Sequence, residues 1–305
     1  MLKKLFLAGA ALCAFSTPSM AGSTAPSFSV PATCANLERG TAASINVALR
    51  QFLTAAVTSA DNAGFGYNMW ATLVANDGTV CGVAFSGANY TEQWLASRVI
   101  SAQKAATANS LSLPKLPLGG TGKGALALAT ANLYSATRDG GSLFGLQFSN
   151  PVDTADAYHG VGHEGAPTTP DPASFGAAQD PMVGRPIGGI NVFGGGLALY
   201  NAQGKKVGGV GVSGDTSCTD HMVAWRLRHA ANLDFLATAG VSGPAAIFAG
   251  DATHPDNIIF DIPAAASTVT GSQGLSVSGF GHPTCPFQPA IDPGTKTAAN
   301  LPAVQ

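Results

Sequence analysis

The sequence predicts an α/β fold of the α+β type, in which one antiparallel sheet is flanked by helices. Three observations carry this class. Two β-rich runs, 67–75 and 79–85, bracket Asn76-Asp77-Gly78, and an Asp-Gly turn between such runs signals a hairpin. A second strand pair, 197–200 and 206–213, closes around Asn201-Ala202-Gln203-Gly204. Helical periodicity lies around these pairs instead of alternating with single strands, which argues against a doubly wound parallel sheet.

Taken in order, Lys3 and Lys4, an apolar run over 5–15 and Ser19-Met20-Ala21 form the pattern of a secretory signal. Cleavage after Ala21 would place the mature protein in the periplasm or outside the cell. The run is shorter than the ~20 residues a spanning helix needs, and no later segment is apolar for long enough. Residues 22–35 read as a flexible leader rich in Ser, Pro and Thr. A helix opens near Thr41, with Ile45, Leu49, Phe52, Leu53 and Val57 on one face, and ends before Gly64. After the first hairpin, Thr91, Glu92 and Gln93 open a second helix through Leu95, Val99, Ile100 and Ala106. Residues 111–124 read as a loop and 125–136 as a short helix stopped by Asp139-Gly140-Gly141. Residues 151–186, rich in Pro, Gly, Asp and Thr, form a long loop insertion, and a loop of that length is usually functional or mobile. The last helix runs over 219–236, after Gly214-Asp215-Thr216-Ser217. The domain thus spans 36–236, and 237–305, with a short strand at 257–262, is a covering extension.

Charged residues are 10% of the chain and the net charge is −2, so no basic surface is available to neutralise a phosphate backbone. Nucleic acid is excluded as an expected partner. Low charge repulsion also permits self-association, and a homo-oligomer is expected. Cys13 leaves with the signal, and the remaining four cysteines, Cys34, Cys81, Cys218 and Cys285, suit two disulfides in an oxidising compartment. Metal ligation is the competing reading, but no pair has CxxC-type spacing. Three pairings are open; the expected one joins Cys34 to Cys81 and Cys218 to Cys285, each tying a loop or helix start to a nearby segment.

Asn76-Asp77-Gly78, Phe85-Ser86-Gly87-Ala88, Ser97-Arg98 and Gln103-Lys104-Ala105-Ala106-Thr107-Ala108 together resemble the first half of the GlcG/HbpS family, the haem-degrading domain family. Gly208-Gly209-Val210-Gly211-Val212-Ser213-Gly214 followed by Asp220 is similar to its closing strand and the Asp of the next helix. The resemblance covers about residues 36–235 and implies a small antiparallel sheet, helices, oligomers and haem as cofactor. The chain departs from shorter members in its 151–186 insertion, its cysteines and its extension.

Two candidate sites follow. Lys104 and Thr107, three apart on one helix, share a face, and the resemblance makes that face a pocket in which Lys104 meets a propionate. The same residues equally read as a snorkelling lysine and a packed threonine. Arg98 or Arg226 could clasp a carboxylate or stand as a surface charge. The other candidate is His159-Gly160-Val161-Gly162-His163-Glu164, whose imidazoles suit haem iron or another metal, or else lie idle in a polar loop. Asp220 and His221 open the last helix, where the carboxylate reads as a helix cap or, alternatively, as a catalytic group. No GxGxxG motif, Walker lysine or G-x-S-x-G elbow is present in the expected context, so nucleotide folds and serine hydrolases are set aside. The expected function is an exported haem-binding, or related tetrapyrrole- or iron-binding, accessory protein. The alternatives are a metal- or cofactor-dependent enzyme such as one degrading haem, or an oligomeric extracytoplasmic sensor. Nothing supplies a secure acid, base or nucleophile, which favours binding over catalysis.

Overall fold

Strands β1 (Trp70–Ala75), β2 (Val80–Phe85), β3 (Gly196–Tyr200) and β4 (Lys206–Ser213) form one antiparallel sheet in the order β2-β1-β4-β3. This computed structural model describes residues 34–35, 42–114, 125–158, 172–263 and 276–305. The expected α+β class with an antiparallel sheet is what it shows. Gly78, with φ +87°, closes the first hairpin, and Asp77 accepts a 3.0 Å bond from the Thr79 amide.

Both sheet faces are covered, which is why every residue of β1 and β2 is buried. Helix α1 (Ala42–Val57) and helix α5 (Ser217–Ala230) cover one face, where Ile45, Leu49 and Leu53 meet Ala71, Leu73, Val210, Val212, Val223 and Leu227. Helix α2 (Ser97–Leu111) covers the other, packing Val99, Ala102 and Ala105 beside Trp70 and Val74. The strand period of two thus sends alternate β1 side chains into two separate cores. Gly209 and Gly211 of β4 lie directly beneath α2, and a Cβ on Gly211 would stand 1.9 Å from the Ser101 carbonyl oxygen.

Register slips in the β3–β4 pair between Leu199 and Tyr200, and in the β1–β2 pair between Leu73 and Val74, so that Leu73 pairs with Gly82 and Val74 with Val80. The residue skipped in β2 is Cys81, which joins the α1-side core and forms a disulfide with Cys34. Cys218 and Cys285 form the second disulfide, with Cα atoms 6.1 Å apart. Both expected pairings are therefore present.

Several boundaries differ from expectation. Helix α2 opens at Ser97 and not at Thr91, because Asn89 Oδ1 accepts from the Thr91 amide (2.9 Å) and Glu92 accepts from the Ala88 amide (2.7 Å). These local bonds hold 88–92 in a turn. Of 125–136, only Leu133–Ala136 (α3) is α-helical, after a 3-10 turn over Thr130–Asn132; Leu126 is extended and bridges Leu113 and Ser242. The 151–186 segment contains a short helix, α4 (Thr154–Tyr158). Helix α5 stops at Ala230, since Asn232 takes φ +59° and the chain turns back along β3; a separate turn, α6 (Leu236–Ala239), follows. The strand expected over 257–262 is reduced to one bridge, Ile259 with Thr297.

Parts of the chain beyond 237 pack on α5. Arg228 and Asp256, both fully buried, make a two-pronged ion pair at 2.6 and 2.9 Å, and Trp225 Nε1 donates to the Pro302 carbonyl at 2.9 Å.

Candidate functional site

Lys104 and Thr107 do lie on α2, but that face is closed. Lys104 Nζ donates to Asp220 Oδ2 at 2.7 Å and to the Val212 carbonyl at 3.0 Å. Burial lowers the Lys104 pKa against the pull of Asp220, and burial likewise raises Asp220 to about 6. Asp220 Oδ1 accepts from the Gly214 and Asp215 amides, which ties β4, α2 and α5 together. Thr107 Oγ1 donates to the Gln103 carbonyl and accepts from the Asn191 amide at 2.9 Å. With Lys104 and Thr107 at 1% and 0% exposure, a propionate could not reach either without opening the core. The expectation of a pocket here is corrected by that packing: both residues are enclosed and their polar atoms are already satisfied.

Arg98 is also internal. Its guanidinium pairs with Asp180, donates to the Ala157 carbonyl at 3.0 Å and lies 4.2 Å from the Phe175 ring centroid. It therefore pins α4 and the 175–180 segment to the start of α2. His159 and His163 lie outside the described residues. Arg226 bonds Asn62 Oδ1 at 3.0 Å and the Asn300 carbonyl at 3.1 Å.

Helix α5 is capped by Thr216, whose hydroxyl accepts from the Thr219 amide, so capping falls to Thr216 and not to Asp220. Two buried imidazoles stand nearby. His221 Nε2 accepts from the Ile258 amide at 3.2 Å, leaving Nδ1 without a hydrogen-bond partner among the described residues. His282 Nε2 meets Ser217 Oγ at 2.7 Å, and its Nδ1 lies 3.9 Å from Cys218 Sγ. Burial lowers both rings to about pKa 4, so they are neutral at physiological pH. Cys218, His282 and Cys285 place their ligand-type atoms within 4.8 Å of one another.

An exposed aromatic surface lies elsewhere. Phe65 and Tyr67 stack at 5.4 Å; Tyr67 meets Trp94 edge-on at 5.4 Å, and Phe65 meets Phe287 at 5.3 Å. All four side chains are exposed, and Leu95 beside Trp94 is 59% exposed. Asp215 holds this surface in place by accepting from the Phe65 and Tyr67 amides at 2.9–3.2 Å. Sequence reasoning passed over these rings because 63–67 carries no periodicity; Phe65-Gly66-Tyr67 in a turn was the available signal.

Haem needs a flat apolar support and an iron donor. The aromatic strip suits the first requirement, whereas the closed face around Lys104 and Thr107 suits neither. Among the described histidines, His221 and His282 are enclosed, while His229 and His254 hold Asp234 and Asp251 at 2.7 and 2.8 Å. No family model matches this chain, and no curated protein matches it. Among solved structures, the chain is similar to the crystal structure of Klebsiella pneumoniae protein ORFY, described with the family model DUF336. Identity is 22% over 61% of this chain and 88% of that one, with a TM-score of 0.36. It is also similar to the crystal structure of a PduOC:heme complex, at 18% identity over 68% of this chain and 97% of that one, with a TM-score of 0.34.

Proposed function

We propose that this chain is an exported binding protein for haem or a related flat tetrapyrrole. The macrocycle would lie against Phe65, Tyr67 and Trp94, with iron ligated by His159 or His163. The observation that carries the reading is the exposed strip of four aromatic rings, each in contact with the next in the order Phe287, Phe65, Tyr67, Trp94, since a contiguous exposed apolar patch marks an interaction surface. The described chain ahead of the histidines, up to Tyr158, lies against the same end of α2. Trp94 and Leu95 immediately precede that helix, and Arg98 in its first turn holds Ala157, two residues before His159. Bound haem would supply a redox-active iron centre; the protein's part is an apolar platform and an imidazole donor. Lys104, Thr107 and Arg98 then serve to build the scaffold. The motif resemblance and the two disulfides also support an exported haem binder.

Hemin titration tests the reading. The wild-type chain is expected to saturate at one equivalent with a defined Soret maximum. Substituting His159 and His163 together by Ala should shift that maximum and weaken binding at least tenfold. Tyr67→Ala with Trp94→Ala should weaken binding while leaving the ligation spectrum in place. Absence of saturable uptake, or two variants indistinguishable from wild type, overturns the proposal; the strip would then read as a surface for a protein partner.

A further inference from the structure

The second disulfide sits in surroundings that an inert cross-link does not require. The Cys218 amide, at the start of α5, points at Cys285 Sγ from 3.3 Å, a donor placed to stabilise a thiolate. His282 sits against the same pair, with its Nδ1 3.9 Å from Cys218 Sγ. Its other nitrogen is held by Ser217 Oγ at 2.7 Å, and that oxygen is itself fixed by the Gly194 amide at 2.7 Å. Nδ1 meets the Pro283 carbonyl at 2.7 Å as well as lying near the sulfur, so the ring is held at both nitrogens, and the hydroxyl on Nε2 is the kind of outer partner a metal-ligating histidine carries. Cys218 and His282 are buried and Cys285 is half-buried, so the cluster is enclosed but reachable from one side.

We infer that reduction of Cys218–Cys285 converts this cluster into a zinc site, with Cys218, Cys285 and His282 Nδ1 as three ligands and one position left to water. The disulfide takes two electrons and two protons from a dithiol, which departs as its own disulfide. Zinc binding then releases the two thiol protons. Nδ1, which now donates to the Pro283 carbonyl at 2.7 Å, gives up its proton as Nε2 gains one that Ser217 Oγ accepts. Tetrahedral Zn²⁺ with Zn–S of about 2.3 Å needs its sulfurs only about 3.8 Å apart, a separation that small side-chain rotations provide once the bond is open. The inference is independent of haem.

The test uses Co²⁺ as the spectroscopic stand-in for Zn²⁺, titrated anaerobically into the oxidised chain and into the reduced chain freed of reductant. The reduced chain is expected to take up one more equivalent than the oxidised chain, with a sulfur-to-cobalt charge-transfer band that Zn²⁺ displaces. C218A/C285A should lose the band, C34A/C81A should keep it, and H282A should weaken binding at least tenfold. Equal uptake by both redox forms, or a band that survives in C218A/C285A, overturns the site. If C218A/C285A does not fold by circular dichroism, H282A decides: an unchanged band and affinity would remove His282 and, with it, the proposal.

Discussion

At the level of single residues, the polar groups that a reader of the sequence would assign to a ligand mostly hold the core together. Lys104 and Asp220 are both enclosed, so removing one charge leaves the other without its partner. Lys104→Met is expected to destabilise the fold by about 3–5 kcal/mol at pH 7 in urea unfolding. The loss should be smaller at pH 5, where Asp220, raised to about 6 by burial, takes up a proton. The buried histidines set a second pH dependence. His221 and His282 titrate near 4 when folded and near 6.5 when unfolded, so the unfolded chain binds more protons between those values. Their stabilisation is complete above pH 6.5 and is lost as pH falls toward 4. Asp220 acts oppositely between 3.8 and about 6, since there the folded state holds the extra proton. One of the two histidine contributions is thereby offset. Stability should therefore decline as pH falls through this window, by on the order of 1 kcal/mol per pH unit, and His221→Gln should flatten the slope. Chemical denaturation at a series of pH values measures both.

At the scale of the element, β4 and α2 depend on close backbone approach. A side chain on Gly211 would meet the Ser101 carbonyl oxygen, which belongs to a helix backbone that cannot yield without leaving the sheet. Gly211→Ala is therefore expected to cost about 3 kcal/mol or to abolish folding, as read by the urea midpoint. The two hairpins and α1 were legible in the sequence because their signals, an Asp-Gly turn and a 3.6-residue apolar period, are local. The opening of α2 was misjudged because Asn89 and Glu92 bond their neighbours' backbone, an outcome that helix propensity does not register. The end of α5 was missed because it depends on the chain returning along β3, a long-range event. The Cys34–Cys81 pair was expected, but the bulge that brings Cys81 to the α1 side had no sequence signal. The Lys104 and Thr107 face was correctly placed on a helix. Its closure was hidden because Asp220 and Asn191 reach it from more than eighty residues away.

At the scale of the whole molecule, two covalent closures span sequence separations of 47 and 67 residues. Each is expected to contribute about 4 kcal/mol by the chain-entropy argument, so reduction should lower the melting temperature markedly. Thiol counting on the unfolded, unreduced chain should return no free thiols from these four cysteines; four would refute both bonds. The borders of the sheet bear on how copies meet. On β2, Val80 exchanges main-chain bonds with Gly184 and Arg185 at 2.8 and 2.9 Å, and the Val83 carbonyl accepts from Asn46 at 2.7 Å. On β3, Tyr200 is engaged by Leu233 and Phe235 at 2.8 and 3.3 Å. Both rims are thus occupied at these positions, which shortens the ladder a neighbouring molecule could extend and counts against edge-to-edge growth of a glycine-rich, weakly charged chain. Side-chain surfaces are then the favoured route for assembly of identical copies, and a concentrated solution should stay free of thioflavin-positive aggregate for as long as these rims remain occupied.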